Sequence, residues 1–170
     1  MATEIFYELR NTTAELFRLL ASFNQEQINT IPFENSWTPA QIAEHIKRSN
    51  KSITLALGME GKTTERNSAE RVQELKATFL DFTVKFQSPE FILPTQNYYQ
   101  KEILLEELKK SSQNLQELAG EVNLSEEITL HPFGEITKLE LLHFVLYHTQ
   151  RHIHQVKNIL LLQQESKDFA

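Results

Sequence analysis

The glycines and prolines of this chain stand only at the edges of its apolar repeats, and this placement restricts which folds the chain can adopt. The four glycines and five prolines occur where a helical pattern begins or ends, so long segments contain no helix-breaking residue. The sequence shows neither an internal repeat nor the alternating apolar pattern that indicates strands. It therefore predicts an all-α protein.

Five apolar repeats with helical spacing mark the predicted helices. They cover residues 4–23, 42–57, 72–86, 104–122 and 141–159. The second and fifth repeats each follow a capping-box signal, formed by Thr38 with Gln41 and by Thr137 with Glu140. Pro39 also stands at the first helical position, which proline tolerates well. These signals predict a bundle of long helices.

Length and charge limit the classes of partner. A chain of 170 residues is expected to form one domain, residues 1–170, around a single core. Its formal net charge is -6, and its basic residues do not gather with aromatic ones, so nucleic acid is not an expected partner. No segment approaches the about 18 apolar residues of a membrane span, and no signal peptide is evident. We expect a cytoplasmic protein without membrane contact.

Two histidines, His148 and His152, stand inside the apolar repeat of the last predicted helix. Residues four apart share one helical face, with Cβ atoms about 5–6 Å apart, so both imidazoles can reach one cation. His45 stands on the buried side of the second predicted helix, between Ile42 and Ser49. An unsatisfied polar ring in a core costs about 1–3 kcal/mol, so these rings need a partner. The three histidines are a candidate metal site.

A plainer interpretation stays open. His148, His152 and His45 could be core histidines hydrogen-bonded to a carbonyl or to Glu44. The spacing of four residues is a weak signal by itself, because six histidines can produce it by chance. The third histidine on another helix favours the metal site.

The other histidines follow different patterns. His143 and His154 fall on another helical stripe and are expected at the surface or rim, and His131 is expected in a turn. Gln155 lies three residues after His152, where it could orient a bound water or ligand. Glu44 points about 100° away from His45 on its helix and is a weak candidate for a base. Residues near the histidines, including Tyr98, Tyr99 and Arg151, are expected to line a pocket.

Two segments carry a resemblance to a known family. Residues 37–46 read WTPAQIAEHI, and residues 148–155 read HTQRHIHQ, with Pro132-Phe133-Gly134 ahead of the second segment. Together they resemble the helix-two and last-helix signatures of the DinB/YfiT-like superfamily, over essentially the whole chain. The resemblance implies a four-helix bundle with an additional helical segment and long loops, often a homodimer. It also implies a divalent metal on His45, His148 and His152.

One position departs from the family pattern, since His154 stands where many members carry a small residue before the final glutamine. Substrate contacts could differ there. Some relatives are similar to thiol transferases that use glutathione, mycothiol or bacillithiol. Because the chain has no cysteine, a thiol substrate or cofactor of low molecular weight would have to be external. Imidazole ligands suit zinc, nickel and iron alike, and zinc or nickel is the expected ion.

Three functions remain open from the sequence. An ion on three neutral imidazoles keeps its full charge and an open position, which favours a metal-dependent thiol S-transferase or hydrolase acting on a small molecule. A metal-binding or sensing module without turnover is the second. A structural helical bundle with core histidines is the third.

Overall fold

The structure of the protein is a computed structural model that describes residues 2–168, with side chains for residues 3–164. Five helices account for most of these residues: α1 (Ala2–Ala21), α2 (Pro39–Leu57), α3 (Val72–Phe79), α4 (Lys101–Glu121) and α5 (Lys138–Asp168). Single 3-10 turns lie at Gln27–Asn29 and Glu90–Ile92. Three short strands complete the described elements: β1 (Lys62–Thr63), β2 (Glu126–Leu130) and β3 (Gly134–Thr137).

Four of the helices form the bundle. Helix α2 packs against α4 and α5, and α1 packs against α5 and α4, while the short α3 lies along α5. Their apolar faces form two clusters. Helix α5 contributes residues up to Tyr147 to one cluster and residues from Ile153 onward to the other. The predicted all-α four-helix bundle with an additional helical segment is confirmed, and His148 and His152 stand where α5 passes from one cluster to the other.

Helix α2 begins as its sequence predicts. The backbone N–H of Gln41 donates to Thr38 Oγ1 at 3.1 Å, and the backbone N–H of Thr38 donates to Gln41 Oε1 at 3.0 Å. Pro39 occupies the first turn, where its missing N–H has no cost. The capping box therefore fixes the start of the helix that carries His45.

Replacing Thr38 with alanine is expected to lower the free energy of unfolding by about 1 kcal/mol, because the backbone N–H of Gln41 at a buried helix end loses its acceptor. Urea denaturation followed by circular dichroism measures this. Thr95→Ala, at an exposed loop position, is the matched control and should change stability little. Equal effects of the two substitutions would show that the capping box contributes nothing.

Helix α3 is shorter than its sequence pattern predicts. The apolar repeat runs on to Phe82 and Phe86, but the helix ends at Phe79. The Asp81 carboxylate accepts hydrogen bonds from the backbone N–H and hydroxyl of Thr83, at 3.0 and 2.6 Å, and this local turn competes with helix. The Arg151 guanidinium binds the carbonyl oxygens of Phe79 and Asp81 at 3.2 and 2.8 Å. A contact from α5 thus takes acceptors that a longer helix would need.

A small antiparallel sheet, in the order β1-β2-β3, was not predicted. Strand β2 pairs with β3 so that Ile128 faces Ile136, and both side chains are buried against α5 and its neighbours. The strands are two, five and four residues long. The sequence analysis did not reveal these strands because none of them carries more than two apolar residues, too few to show an alternating pattern.

The start of α5 is fixed by Glu140, whose side chain is 0% exposed. Its carboxylate accepts two hydrogen bonds from the Arg66 guanidinium, both at 2.8 Å. It also accepts from the backbone N–H groups of Arg71 and Thr137, at 2.8 and 2.9 Å. Because Thr137 Oγ1 accepts in turn from the Glu140 N–H at 3.1 Å, the predicted capping box is present. One carboxylate thus ties β3, the 66–71 segment and α5 together.

Within residues 2–168, no helix combines the length and apolar character that crossing a membrane requires.

Candidate metal centre

The imidazoles of His45, His148 and His152 meet between α2 and α5. The Nε2 atom of His148 lies 3.0 Å from Nε2 of His45 and 3.1 Å from Nε2 of His152. One ring nitrogen of each histidine lies within 4.8 Å of those of the other two. The structure thus brings together the three residues that the sequence singles out, and metal binding by them stays a prediction.

Burial keeps these rings in the neutral form. His45 is 1% exposed, and His148 and His152 are each 8% exposed. Loss of water lowers the pKa of His45 despite a hydrogen bond to a carbonyl that raises it, and lowers the pKa of His148 well below its ordinary value. The same burial, reinforced by neighbouring His45, lowers the pKa of His152 to about 3. Neutral imidazole is the form that binds a metal ion.

Aromatic side chains surround the three rings. Trp37 lies 5.0 Å from His45 between ring centroids, and Phe144 stacks on His148 at 5.2 Å. Phe79 approaches His148 edge-on, with centroids 6.5 Å apart. This apolar surrounding strengthens any electrostatic interaction inside the site, because little water screens it.

Two further contacts decide which ring nitrogens carry protons. The Nδ1 atom of His45 lies 3.0 Å from the carbonyl oxygen of Ile92, which only accepts, so this nitrogen donates. The Nδ1 atom of His152 lies 3.0 Å from Gln155 Oε1 and, with the amide oriented this way, also donates. A neutral ring has one N–H, so the Nε2 atoms of His45 and His152 present lone pairs.

This arrangement fits a cation. His148 has one Nε2 proton at most, so it can donate to only one of its two neighbours, and in the other short contact a lone pair faces an electron-rich nitrogen with no proton between them. A positive ion among the three nitrogens removes that repulsion. Around zinc, with bonds of about 2.0–2.1 Å, tetrahedral imidazole nitrogens stand about 3.4 Å apart. The two distances from His148 are a few tenths of an ångström shorter, and all three donor nitrogens lie within 4.8 Å of one another. The donor set therefore suits a divalent ion with an open position.

The remaining candidate residues have other roles. Gln155 binds the His152 ring, so it orients a candidate ligand, as second-row partners of metal sites commonly do. Glu44 is buried but forms an ion pair with Lys47 at 2.5 Å. Tyr98 and Tyr99 hydrogen-bond with Gln25 near the start of α4: Gln25 donates to the Tyr98 hydroxyl at 3.0 Å and to the Tyr99 carbonyl at 2.8 Å.

The other three histidines lie where the sequence pattern puts them. His154 is exposed and stacks on Phe82 with centroids 4.0 Å apart. His143 is partly buried beside the Tyr147 hydroxyl. His131 is exposed in the turn between β2 and β3.

Two neighbours of the site escaped the sequence analysis. Ile92 acts through its carbonyl oxygen, and no side-chain pattern can reveal a backbone acceptor 47 residues away from its donor. Arg48 binds the carbonyl of Phe91, next in the chain to Ile92, at 3.1 and 2.8 Å. The sequence shows that Arg48 stands three residues after His45, but it does not show that the Phe91 carbonyl accepts its hydrogen bonds.

A family model and two solved structures that match this chain agree with the four-helix bundle fold. The family model described as the DinB superfamily matches residues 8–156. The structure resembles that of TT2238, described as a four-helix bundle protein, with a TM-score of 0.63 and 18% sequence identity over 93% of this chain and 99% of that chain. It also resembles YfiT from Bacillus subtilis, described as "a probable metal-dependent hydrolase with an unusual four-helix bundle topology", with a TM-score of 0.61 and 15% identity over 93% and 85% of the two chains. No curated protein matches the sequence significantly.

Proposed function

Since this chain belongs to the DinB superfamily, we propose that it is a metal-dependent enzyme that holds a divalent ion, zinc or nickel, on His45, His148 and His152. The observation that supports this most directly is the crowding of three buried, neutral Nε2 atoms at 3.0 and 3.1 Å. Hydrogen bonds among the three rings cannot satisfy all of these atoms, and a cation can.

When bound, such an ion supplies positive charge and an open coordination position, at which water or a thiol loses its proton near neutral pH. The protein's own residues prepare this position. The Ile92 carbonyl and Gln155 fix the orientation of two rings, and Trp37, Phe79 and Phe144 limit access of bulk water.

Two reactions fit these residues. Hydrolysis needs only water beside the ion, and YfiT, whose structure is similar, is described as "a probable metal-dependent hydrolase". Thiol transfer needs an external thiol of low molecular weight, because the chain has no cysteine. We propose a small-molecule substrate for either reaction.

A metal-binding or sensing module without turnover is the second candidate. It is favoured because the two nearby polar groups that could assist a reaction, one carboxylate and one amide, are already engaged. Glu44 pairs with Lys47 at 2.5 Å, and Gln155 binds His152 at 3.0 Å.

The proposal is tested on tag-free, full-length protein loaded with zinc or nickel and analysed for metal content. We expect near-stoichiometric metal in the wild type and its loss in His45→Ala and His152→Ala, with circular dichroism showing that both variants remain helical. His154→Ala is the matched control, because its exposed ring lies on the same helix outside the cluster, and it should retain the metal. Wild-type protein that takes up no metal would overturn the proposal.

Turnover separates the two candidates. Loaded protein is assayed for hydrolysis of p-nitrophenyl acetate and for addition of glutathione to chlorodinitrobenzene. A saturable rate that disappears in His152→Ala supports an enzyme, and metal binding without turnover in either reaction favours the module. The homodimer also remains a proposal, which sedimentation velocity tests.

A further inference from the structure

The loop that follows α3 crosses from one ligand-bearing helix to the other. We call residues 80–93 the strap. On the α5 side, the Arg151 guanidinium donates to the carbonyl oxygens of Phe79, Asp81 and Val84, the first of which immediately precedes the strap. It also lies 4.7 Å from the centroid of the Phe86 ring. One side chain beside a candidate ligand therefore holds the first half of the strap.

The α2 side holds the second half. Arg48 donates two hydrogen bonds to the Phe91 carbonyl, at 3.1 and 2.8 Å. His45 donates from Nδ1 to the Ile92 carbonyl at 3.0 Å. The strap is thus attached to α2 and α5 through main-chain oxygens, and one of the donors is a candidate ligand.

Apolar burial adds little to this attachment beyond Leu80, which is partly buried against the core where the strap begins. Phe82 and Phe86 make ring contacts with His154 and Phe79 but remain exposed. The five large apolar side chains of the strap from Phe82 to Leu93 other than Ile92 are at least 36% exposed: Phe82, Val84, Phe86, Phe91 and Leu93. Ile92 is buried, at 8% exposure. A segment with few buried apolar contacts opens locally at low free-energy cost, so its polar attachments decide how often it opens.

We propose that the strap is a gate to the three-histidine site and that Arg151 is the positioning residue that keeps it closed. The inference rests on the proposed function in one respect, namely that the gated site holds an ion. The nearly complete burial of the three rings means that a metal or a substrate reaches them only when some neighbouring segment moves. The strap is the segment that joins both ligand helices and is held chiefly by hydrogen bonds.

The gate is linked to the metal through His45. An ion at Nε2 draws electron density from the ring, which makes the Nδ1–H a stronger donor to the Ile92 carbonyl. Metal binding therefore favours the closed strap. Linkage is reciprocal, so the factor by which bound metal favours the closed strap equals the factor by which closure of the strap raises the affinity for metal. A loosened strap therefore weakens metal binding.

Trypsin reports strap opening directly. Lys85 is exposed within the strap and is the only lysine or arginine between Lys76 and Lys101. In metal-free protein we expect Arg151→Gln to speed cleavage after Lys85 about tenfold, the effect of losing hydrogen bonds from a charged donor. Arg151→Lys should fall between the two, because an ammonium group cannot reproduce the planar fork. Lys157→Gln, an exposed ion-pair residue on the same helix, should match the wild type.

Metal exchange supplies a readout that a general loss of stability would not produce. Fluorescence of Trp37, next to His45, follows nickel uptake and its removal by EDTA. A loosened gate should raise the rate of uptake about threefold and the rate of release about tenfold, since a lower barrier affects both directions and the linkage weakens binding by the remaining factor of about three. The visible absorption spectrum of cobalt-loaded protein should be the same in Arg151→Gln as in the wild type, because the ligands are intact.

Each result decides between the two proposals. Unchanged cleavage after Lys85 in metal-free Arg151→Gln would overturn the gate and leave the metal proposal standing. An altered cobalt spectrum, or faster release without faster uptake, would also overturn the gate, because Arg151 would then act on ligand geometry. Faster cleavage in protein that binds no metal would support the strap attachment and overturn the proposed function.

Discussion

Replacing His148 with leucine is expected to stabilise the metal-free protein and abolish its response to zinc. In the wild type without metal, the His148 Nε2 faces two other Nε2 atoms at 3.0 and 3.1 Å and can satisfy only one. Leucine removes the poorly satisfied nitrogen and packs against Phe79 and Phe144. We expect the free energy of unfolding in EDTA to rise by about 1 kcal/mol.

Zinc should reverse this order of stability. An ion present at a thousandfold excess over its dissociation constant stabilises the folded wild type by about 4 kcal/mol, provided that the unfolded chain does not bind it. His148→Leu should gain almost nothing. Urea denaturation with and without zinc measures both effects, and His154→Leu is the matched control on the same helix. Equal stabilisation of wild type and His148→Leu by zinc would place the ion elsewhere.

The second large effect is expected at Glu140. Glu140→Gln removes the buried charge that Arg66 contacts with two hydrogen bonds and leaves that partly buried guanidinium with Glu127 as its remaining ion-pair partner. Breaking a buried ion pair from one side costs about 3–5 kcal/mol. Denaturant unfolding should show a loss of that order. Glu135→Gln, at an exposed position of β3, should change stability little.

The Glu140 carboxyl also makes the free energy of unfolding depend on pH, with a definite sign. Burial by itself raises the pKa of Glu140. The hydrogen bonds from Arg66 and from the backbone of Thr137 and Arg71 lower the pKa by more than burial raises it, so the net shift is downward. A carboxyl whose pKa is lower in the folded than in the unfolded state stabilises the fold at any pH above its unfolded-state pKa, which is about 4.3. This contribution is lost as the pH falls through the folded-state pKa. Stability of Glu140→Gln should therefore fall less steeply below about pH 4 than that of the wild type. Parallel acid limbs for the two proteins would refute this role.

Local signals in the sequence predicted the helices and the histidine cluster because both depend on short-range spacing. Thr38 and Gln41 cap α2 at a separation of three residues, and His148 and His152 share a face at a separation of four. His45 could be assigned to the cluster because its helix buries the side on which it lies. Each of these inferences needs only helical geometry and burial.

The parts that the sequence did not predict depend on contacts between distant residues. The end of α3 at Phe79 depends on Arg151, which follows 72 residues later. The sheet is completed by pairing of β1 with β2, which joins Lys62 to Glu127. The orientation of His45 depends on the carbonyl of Ile92, an acceptor that every residue type would provide. Such contacts leave no periodic trace in the chain.

The attachment of the strap through main-chain oxygens affects which substitutions the strap tolerates. Arg151, Arg48 and His45 hold residues 80–93 by main-chain oxygens, which are retained whatever amino acid occupies each position. Side chains there can be exchanged without removing an acceptor, so the surroundings of the buried histidines can diversify while their anchorage stays constant. For protein engineering, Phe82, Val84 and Phe91 are therefore natural positions to randomise in a library that seeks new ligands.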